Sequence, residues 1–409
     1  MPRLASRWIC FLVVILAIAA APALADSPAA RIASRGYPSI FEAWNPAENL
    51  EKSPGDVVPL ASVESADATL ARHDLAFLVW NGLGLKAPER NLLATEFTPE
   101  SVQAARKRRA HLLALNPHMV VLASLVYRNA NDKSGIPEDS PWWKRDASGQ
   151  RTPLPGHNPF GQQYWLDFAK PDFQALVARQ CKALIDSGVF DGCMLDWWSD
   201  HLSGEPIDPN GVHRLELVKT IRAAIGDGGL LIANTNDEEP EWTAAYLNGM
   251  FMEGYGAKYF LDWRKAAADL VWARGHLRQP AFTLLEGWYQ GTNRGDLARM
   301  RAITTLALTH SDGYVVFTDP NSPGTINHAH DWYPFWDKSL GKPTGPVAQK
   351  GPFGSFQREF EKGTAVFNPP TNASVKVRFE DTRASAATGQ SGREFEVPAG
   401  DGDLFLRVR

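Results

Sequence analysis

Apolar runs and amphipathic stretches alternate along most of this chain in a fixed order. A short run that is apolar throughout is followed by a longer stretch with one apolar face. The short runs cover 40–44, 75–80, 119–127, 190–196, 230–234, 249–253, 280–286 and 314–318. Strands this apolar fit a parallel sheet covered on both faces. Helices are predicted over 63–72, 98–115, 171–187, 213–225, 261–277 and 295–309. Thr98-Pro99-Glu100 opens one of them with an N-cap residue and a proline at the first helical position, and Gly188 and Gly226 each stop another. Eight β-then-α units within roughly 300 residues predict an α/β fold, a (β/α)8 TIM barrel. An open doubly wound sheet would need a glycine-rich phosphate turn, and no G-x-G-x-x-G stands in the chain.

Two stretches depart from this rhythm. Residues 128–168 carry Pro137, Pro141, Pro153, Pro155 and Pro159 among Trp and Tyr side chains, which predicts an ordered loop covering a site. Beyond Pro343 and Pro346 the pattern becomes short and alternating, at 356–360, 364–367, 375–379, 395–397 and 404–408. That is the signature of a small antiparallel β-sandwich. The chain thus divides into a barrel over 26–345 and a C-terminal β domain over 346–409, preceded by a signal peptide over 1–25. Arg3 and Arg7 precede an apolar run of about 14 residues, short of the roughly 20 that span a bilayer, and Ala23-Leu24-Ala25 fits signal peptidase. Cleavage is expected after Ala25, which makes the mature protein secreted or periplasmic.

Composition narrows the function. A net charge of −4 argues against nucleic acid and against an electrostatic membrane partner. Once Cys10 leaves with the signal, Cys181 and Cys193 remain, either bridged or as two buried thiols. No spacing suggests zinc, and neither a metal nor another cofactor is expected. His328 and His330 lack a spaced third ligand for a metal; they read as ligands of substrate hydroxyls or, at least as well, as a surface loop. No G-x-S-x-G elbow supports acyl transfer. Of the 14 Trp, several fall in predicted loops: Trp142, Trp143, Trp197, Trp198, Trp288, Trp332 and Trp336. Such rings stack on the apolar faces of sugars.

Active sites of these barrels lie at the C-terminal ends of the strands. The polar residues there are Glu42, Asp196, Asn234, Glu253, Glu286 and Asp319. Asp196 and Glu253 each end an almost wholly apolar strand, where a carboxylate is costly unless its environment tunes it for chemistry. They are the predicted catalytic pair, one protonating a glycosidic oxygen and the other attacking carbon or activating water. Glu286 is the reserve candidate. Glu42, Trp44, Trp80, Tyr127, Trp197, Trp198, Asn234, Tyr255, Glu286, Trp288 and Asp319 are expected to bind substrate. Asp191, at the opposite end of its strand, reads as structural.

The run Phe190-Asp191-Gly192-Cys193-Met194-Leu195-Asp196 resembles the fourth strand of many glycosidase-like barrels, and Asn248-Gly249-Met250-Phe251-Met252-Glu253-Gly254 their sixth. With Trp142-Trp143-Lys144-Arg145-Asp146-Ala147-Ser148-Gly149 and Tyr164-Trp165-Leu166-Asp167, the chain is similar to hypothetical glycoside-hydrolase-like family 15, distinct from the glucoamylases of the same number. The tail, with Phe356-Gln357-Arg358-Glu359-Phe360-Glu361-Lys362-Gly363, is similar to the β-sandwich that closes such proteins. A more distant likeness is to the endo-α-1,4-polygalactosaminidases of glycoside hydrolase family 114. That resemblance implies cleavage of an α-linked polysaccharide, with Asp196 as nucleophile or base and Glu253 as acid, or the reverse. The expectation is a monomeric glycoside hydrolase acting on a poly- or oligosaccharide. Two alternatives stay open. One is a non-catalytic glycan-binding or polysaccharide-export accessory protein. The other is a metal-dependent enzyme holding its ion through Glu42, Asp196 or Asp319.

Overall fold

The structure is a computed structural model. It describes residues 27–44, 66–155, 161–200, 207–208, 210–236, 238–255, 263–289, 293–320 and 328–408. The signal peptide expected over 1–25 lies outside the described residues. No helix among them is long and apolar enough to cross a membrane.

Eight parallel strands form one sheet in chain order. They are β1 (Phe41–Trp44), β2 (Leu75–Val79), β3 (Val120–Leu125), β4 (Gly192–Leu195), β5 (Leu230–Asn234), β6 (Gly249–Tyr255), β7 (Phe282–Trp288) and β8 (Tyr314–Thr318). Ile40 bridges Val315 in parallel, and the Val315 N–H donates to the Ser39 carbonyl at 3.0 Å, which brings the last strand back to the first. The result is the TIM barrel that the apolar runs predict. The barrel interior is identified by contacts between strands that are not neighbours in the sheet. Phe251 of β6 meets Phe41 of β1 at 5.7 Å and Phe77 of β2 at 5.1 Å between ring centres.

Alternation along a strand then fixes which side chains point inward. With Phe251 inside, Glu253 is inside. With Phe41 inside, Glu42 faces outward. Cys193 of β4 faces outward, because its sulfur is bonded to Cys181 on a covering helix, so Asp196 three residues on points toward the lumen. The motif ahead of Asp196 serves strand assembly. Asp191 accepts hydrogen bonds from Arg31, from Arg109 at 2.6 Å and from the Val121 N–H at 2.9 Å. A Cβ on Gly192 would lie 2.0 Å from the Leu230 carbonyl oxygen, so only glycine lets β4 and β5 approach.

Among the described residues seven α-helices flank the strands: α1 (Pro28–Ser34), α2 (Ala66–Leu70), α3 (Pro99–Leu115), α4 (Pro171–Asp186), α5 (Val212–Ile225), α6 (Trp263–His276) and α7 (Leu297–His310). In α4 the buried Phe173, Val177, Cys181 and Leu184 recur at helical spacing and form its barrel-facing stripe. Among the described residues the expected eight β-then-α units do not all show a full helix. Between β5 and β6 stands only a 3-10 turn, Ala244–Tyr246. After β8, residues 328–340 pack irregularly against the barrel through buried Trp332, Tyr333, Phe335 and Trp336. The insertion is ordered where described. Asn129–Ala130 pairs with Tyr164–Trp165, and Arg151 lies over the rings of Trp143 and Tyr164.

The C-terminal strands are β9 (Phe356–Phe360), β10 (Gly363–Asn368), β11 (Val375–Ser385), β12 (Ser391–Val397) and β13 (Asp401–Arg407). With Gln349–Lys350 they make an antiparallel sheet in the order Gln349–Lys350, β9, β10, β13, β11, β12. Register shifts between Arg378 and Arg383 of β11, and Val366, Val375, Val377, Val397 and Phe405 enclose a second small core. The sheet also covers α7, which is why that helix is buried nearly all round.

Candidate active site

Asp196, Asn234, Glu253 and Glu286 meet at the C-terminal ends of β4 to β7. Asn234, last residue of β5, uses both hydrogens of one amide. Its Nδ2 donates to Asp196 Oδ1 at 2.9 Å and to Glu253 Oε2 at 2.6 Å. With both oxygens bonded to one nitrogen, they lie no more than about 5.5 Å apart. Both carboxylates are walled in by protein, yet each keeps an accessible edge, as a cleft demands.

Local backbone aims these groups. The β6–β7 register shifts between Met252 and Tyr255, a bulge that turns Glu253 into the mouth. Gly254 follows at φ 79°, and a Cβ there would touch the Trp288 ring at 3.0 Å. Trp44 (φ 58°), Trp197 (φ 52°) and His328 (φ 63°) hold left-handed backbone without being glycine. Strain of about 1 kcal/mol or more at each is typical of positions whose direction matters.

His328 completes the cluster. Its Nδ1 donates to Glu286 Oε1 at 2.7 Å, its Nε2 lies 3.9 Å from Glu253 Oε1, and its ring packs 4.8 Å from that of Trp44. Glu286 also accepts from Thr318 Oγ1 at 2.9 Å and Trp288 Nε1 at 3.0 Å. Burial alone would discharge His328, but Glu286, Glu253 and Asp196 outweigh it and hold its pKa at about 9. Burial pushes Glu253 up to about 7; Glu286 and Asp196 add to that rise, while His328 and the Asn234 bond oppose it. Burial also raises Asp196, against the Asn234 amide, the Trp197 N–H and the charges of His328 and Arg128. The nearby charge of Asp196 thus strengthens the hold of Glu253 on its proton.

The expected substrate ligands divide. Trp197 is 51% exposed, and Trp44 and Trp288 are half-buried, so all three offer ring surface near the carboxylates. Trp197 is backed by the Arg128 guanidinium, which lies between it and Trp165 at 4.6 and 4.5 Å. Tyr127, Trp198 and Trp80 are wall rather than surface. Tyr127 donates to the Trp197 carbonyl at 2.8 Å, Trp198 to Thr243 at 2.9 Å, and Trp80 packs on Phe97. Both Asp319 oxygens are taken by Arg294, at 2.7 and 3.3 Å. Glu42 is wholly buried on the outer side of β1, so its expected contact with substrate is corrected. The side chain of Tyr255 lies outside the described residues. Sequence reasoning gave His328 no fixed role, because it sits in an irregular segment with no periodicity to orient it.

Among the described residues two groups bring three possible metal ligands within 4.8 Å of one another: Glu253, Glu286 and His328, and Glu42, His73 and His330. In the first, a protonated His328 already occupies Glu286, so the cluster reads as a charge network. A groove of about 640 Å³ between residues 87–96 and 136–142 contains none of the clustered carboxylates.

Three comparisons place the chain. Among solved structures, the alpha-amylase of Malbranchea cinnamomea is 11% identical, with 93% of this chain and 97% of that one covered and a TM-score of 0.50. The alpha-amylase of Geobacillus thermoleovorans, complexed with acarbose, is 10% identical over 91% and 98%, with a TM-score of 0.49. The glycoside hydrolase domain of PelA from Pseudomonas aeruginosa is 14% identical over 69% and 95%, with a TM-score of 0.42. At such identities the likeness is one of fold. No curated protein sequence matches the chain. The family comparison reaches further. Residues 114–364, which carry β3 to β8 and every member of the Asp196–Glu253–Glu286–His328 cluster, match hypothetical glycosyl hydrolase family 15, and the chain belongs to that family.

Proposed function

We propose that this protein is a glycoside hydrolase that cleaves a poly- or oligosaccharide with retention of configuration. The observation that carries the reading is the single Asn234 amide bonded to both Asp196 and Glu253. It holds the carboxylates near the roughly 5–5.5 Å of retaining enzymes, short of the 6.5–9.5 Å that leaves room for an inverting water.

Glu253, whose pKa stands at about 7, is the acid. Its proton passes to the glycosidic oxygen as the bond to the anomeric carbon breaks. Asp196, acting as the carboxylate, attacks that carbon and forms a glycosyl ester. Glu253, now a carboxylate, deprotonates a water that attacks the same carbon and releases Asp196. His328 keeps positive charge beside the cluster throughout. Trp197, Trp288 and Trp44 supply stacking surface for sugar rings.

The test is release of reducing ends from a panel of bacterial polysaccharides, amino-sugar polymers included. Asp196→Asn and Glu253→Gln should each lose about 10²–10⁴-fold. Azide added to Asp196→Ala should yield a glycosyl azide of inverted configuration. A polymer that binds without being cut would move the reading to a glycan-binding protein. We also place the protein outside the cytoplasm. The Cys181–Cys193 bridge supports this. N-terminal sequencing of exported protein should begin at Asp26.

A further inference from the structure

On the outer side of the barrel wall, Glu42 of β1 meets two histidines from different parts of the chain. His73 comes from the turn before β2, and His330 from the segment after β8. All three are buried, and neither histidine is placed by the proposed cleavage chemistry. The two Nε2 atoms are 2.8 Å apart. They lie 3.5 Å (His73) and 3.7 Å (His330) from Glu42 Oε2.

The opposite ring nitrogens fix the protons. His73 Nδ1 faces the Leu70 carbonyl at 3.0 Å, and His330 Nδ1 faces the His328 carbonyl at 3.3 Å. A carbonyl only accepts, so each Nδ1 carries the ring's proton. With the proton at Nδ1, a neutral ring presents a lone pair at Nε2. The two Nε2 atoms and Glu42 Oε2 converge on one point, where a shared proton or a cation would hold them together. An Nδ1–H bonded to a backbone carbonyl is also how proteins orient metal-bound histidine. The spacing fits as well. A triangle with sides of 2.8, 3.5 and 3.7 Å has its equidistant point about 2.0 Å from each corner, and Zn–N and Zn–O bonds run about 2.0–2.2 Å.

We infer that Glu42, His73 and His330 form a buried divalent-metal site, with Zn²⁺ as the ion its donor set and spacing fit. Nitrogen from two imidazoles with one carboxylate oxygen suits zinc better than calcium or magnesium, which take oxygen shells. Complete burial makes the site structural. His73 packs on Trp332 at 5.7 Å and His330 on Trp336 at 6.3 Å, which sets apolar rings around the donors. The ion would pin β1, the turn before β2 and the 328–340 segment at the place where the barrel closes.

The test uses the mature full chain, stripped with chelator and dialysed. Zn²⁺ titrated into it calorimetrically should bind at one equivalent and raise the melting temperature. Co²⁺ should give visible absorption more intense than that of the hydrated ion, as a low-coordinate site with nitrogen ligands does. His73→Asn and His330→Asn should each abolish the stoichiometric binding, with circular dichroism reporting whether they fold. Glu253→Gln, in the other cluster, should keep it. Should a variant fail to fold, the wild-type Co²⁺ spectrum still decides. No stoichiometric Zn²⁺ and no such Co²⁺ spectrum in wild type would overturn the inference, leaving the donors sharing a proton. Binding retained in a folded His330→Asn, or lost in a folded Glu253→Gln, would overturn it equally.

Discussion

His328 sets the electrostatics of the cleft from a position no strand provides. Its charge, held to about pH 9, opposes the rise of the Glu253 pKa. Replacing it by Asn removes that opposition and leaves Glu286 with one positive partner fewer. Glu253 should then bind its proton more tightly. If Glu253 is the acid, activity falls as pH rises through its pKa, so the alkaline limb of kcat/KM near pH 7 should move to higher pH in His328→Asn. An unmoved limb, with activity lost at every pH, would make His328 a merely structural residue. The same pKa values predict stability. The folded pKa of His328 lies above its unfolded 6.5, so its contribution is full below pH 6.5 and lost as pH rises through about 9. Full loss would amount to about 3 kcal/mol. Urea midpoints of wild type should fall across that window, and His328→Asn should flatten the fall.

At the scale of elements, the strands were legible because burial on both faces leaves no polar position to confuse the reading. Asp196 and Glu253 were legible because each interrupts such a run at its end. The placement of Glu42, Trp80, Tyr127 and Trp198 was not. A strand's period gives two faces but does not say which is the lumen; only Phe41, Phe77 and Phe251 meeting across the barrel decides that. Nor does spacing bring His73 to His330, 257 residues away. The sulfurs of Cys181 and Cys193 could be read either way, since whether α4 lays Cys181 over β4 depends on its rotation about its axis. The bridge joins that helix to the strand carrying Asp196, across a separation of 12 residues. A loop of that size stabilises by about 3 kcal/mol. The double Cys181→Ser, Cys193→Ser variant should therefore unfold at lower urea, with activity retained below its transition. An unchanged midpoint would show that packing of α4 alone suffices.

Taken whole, the molecule makes its C-terminal sheet part of the barrel's outer layer. α7 has no solvent-facing stripe because β10 and β13 cover the side the barrel does not. Arg301 of α7 reaches Asp401 with two bonds of 2.8 and 2.6 Å, and Arg358 of β9 reaches back to the Ser311 carbonyl at 2.7 Å and Asp312 at 2.6 Å. Trp263 of α6 packs against Phe356 and Phe367. Removing everything after Gly345 would expose these rings and strand Arg301 without its carboxylate, beside a helix with no polar face to offer water. Such a truncation should be insoluble, or melt well below the parent. Asp401→Ala tests the same coupling in the full chain. Breaking a largely buried pair from one side costs about 3 kcal/mol or more, so its unfolding midpoint should fall while Asp196 and Glu253 stay in place. Were the truncation soluble and its melting temperature that of the parent, the sheet would be an appendage and the barrel complete without it.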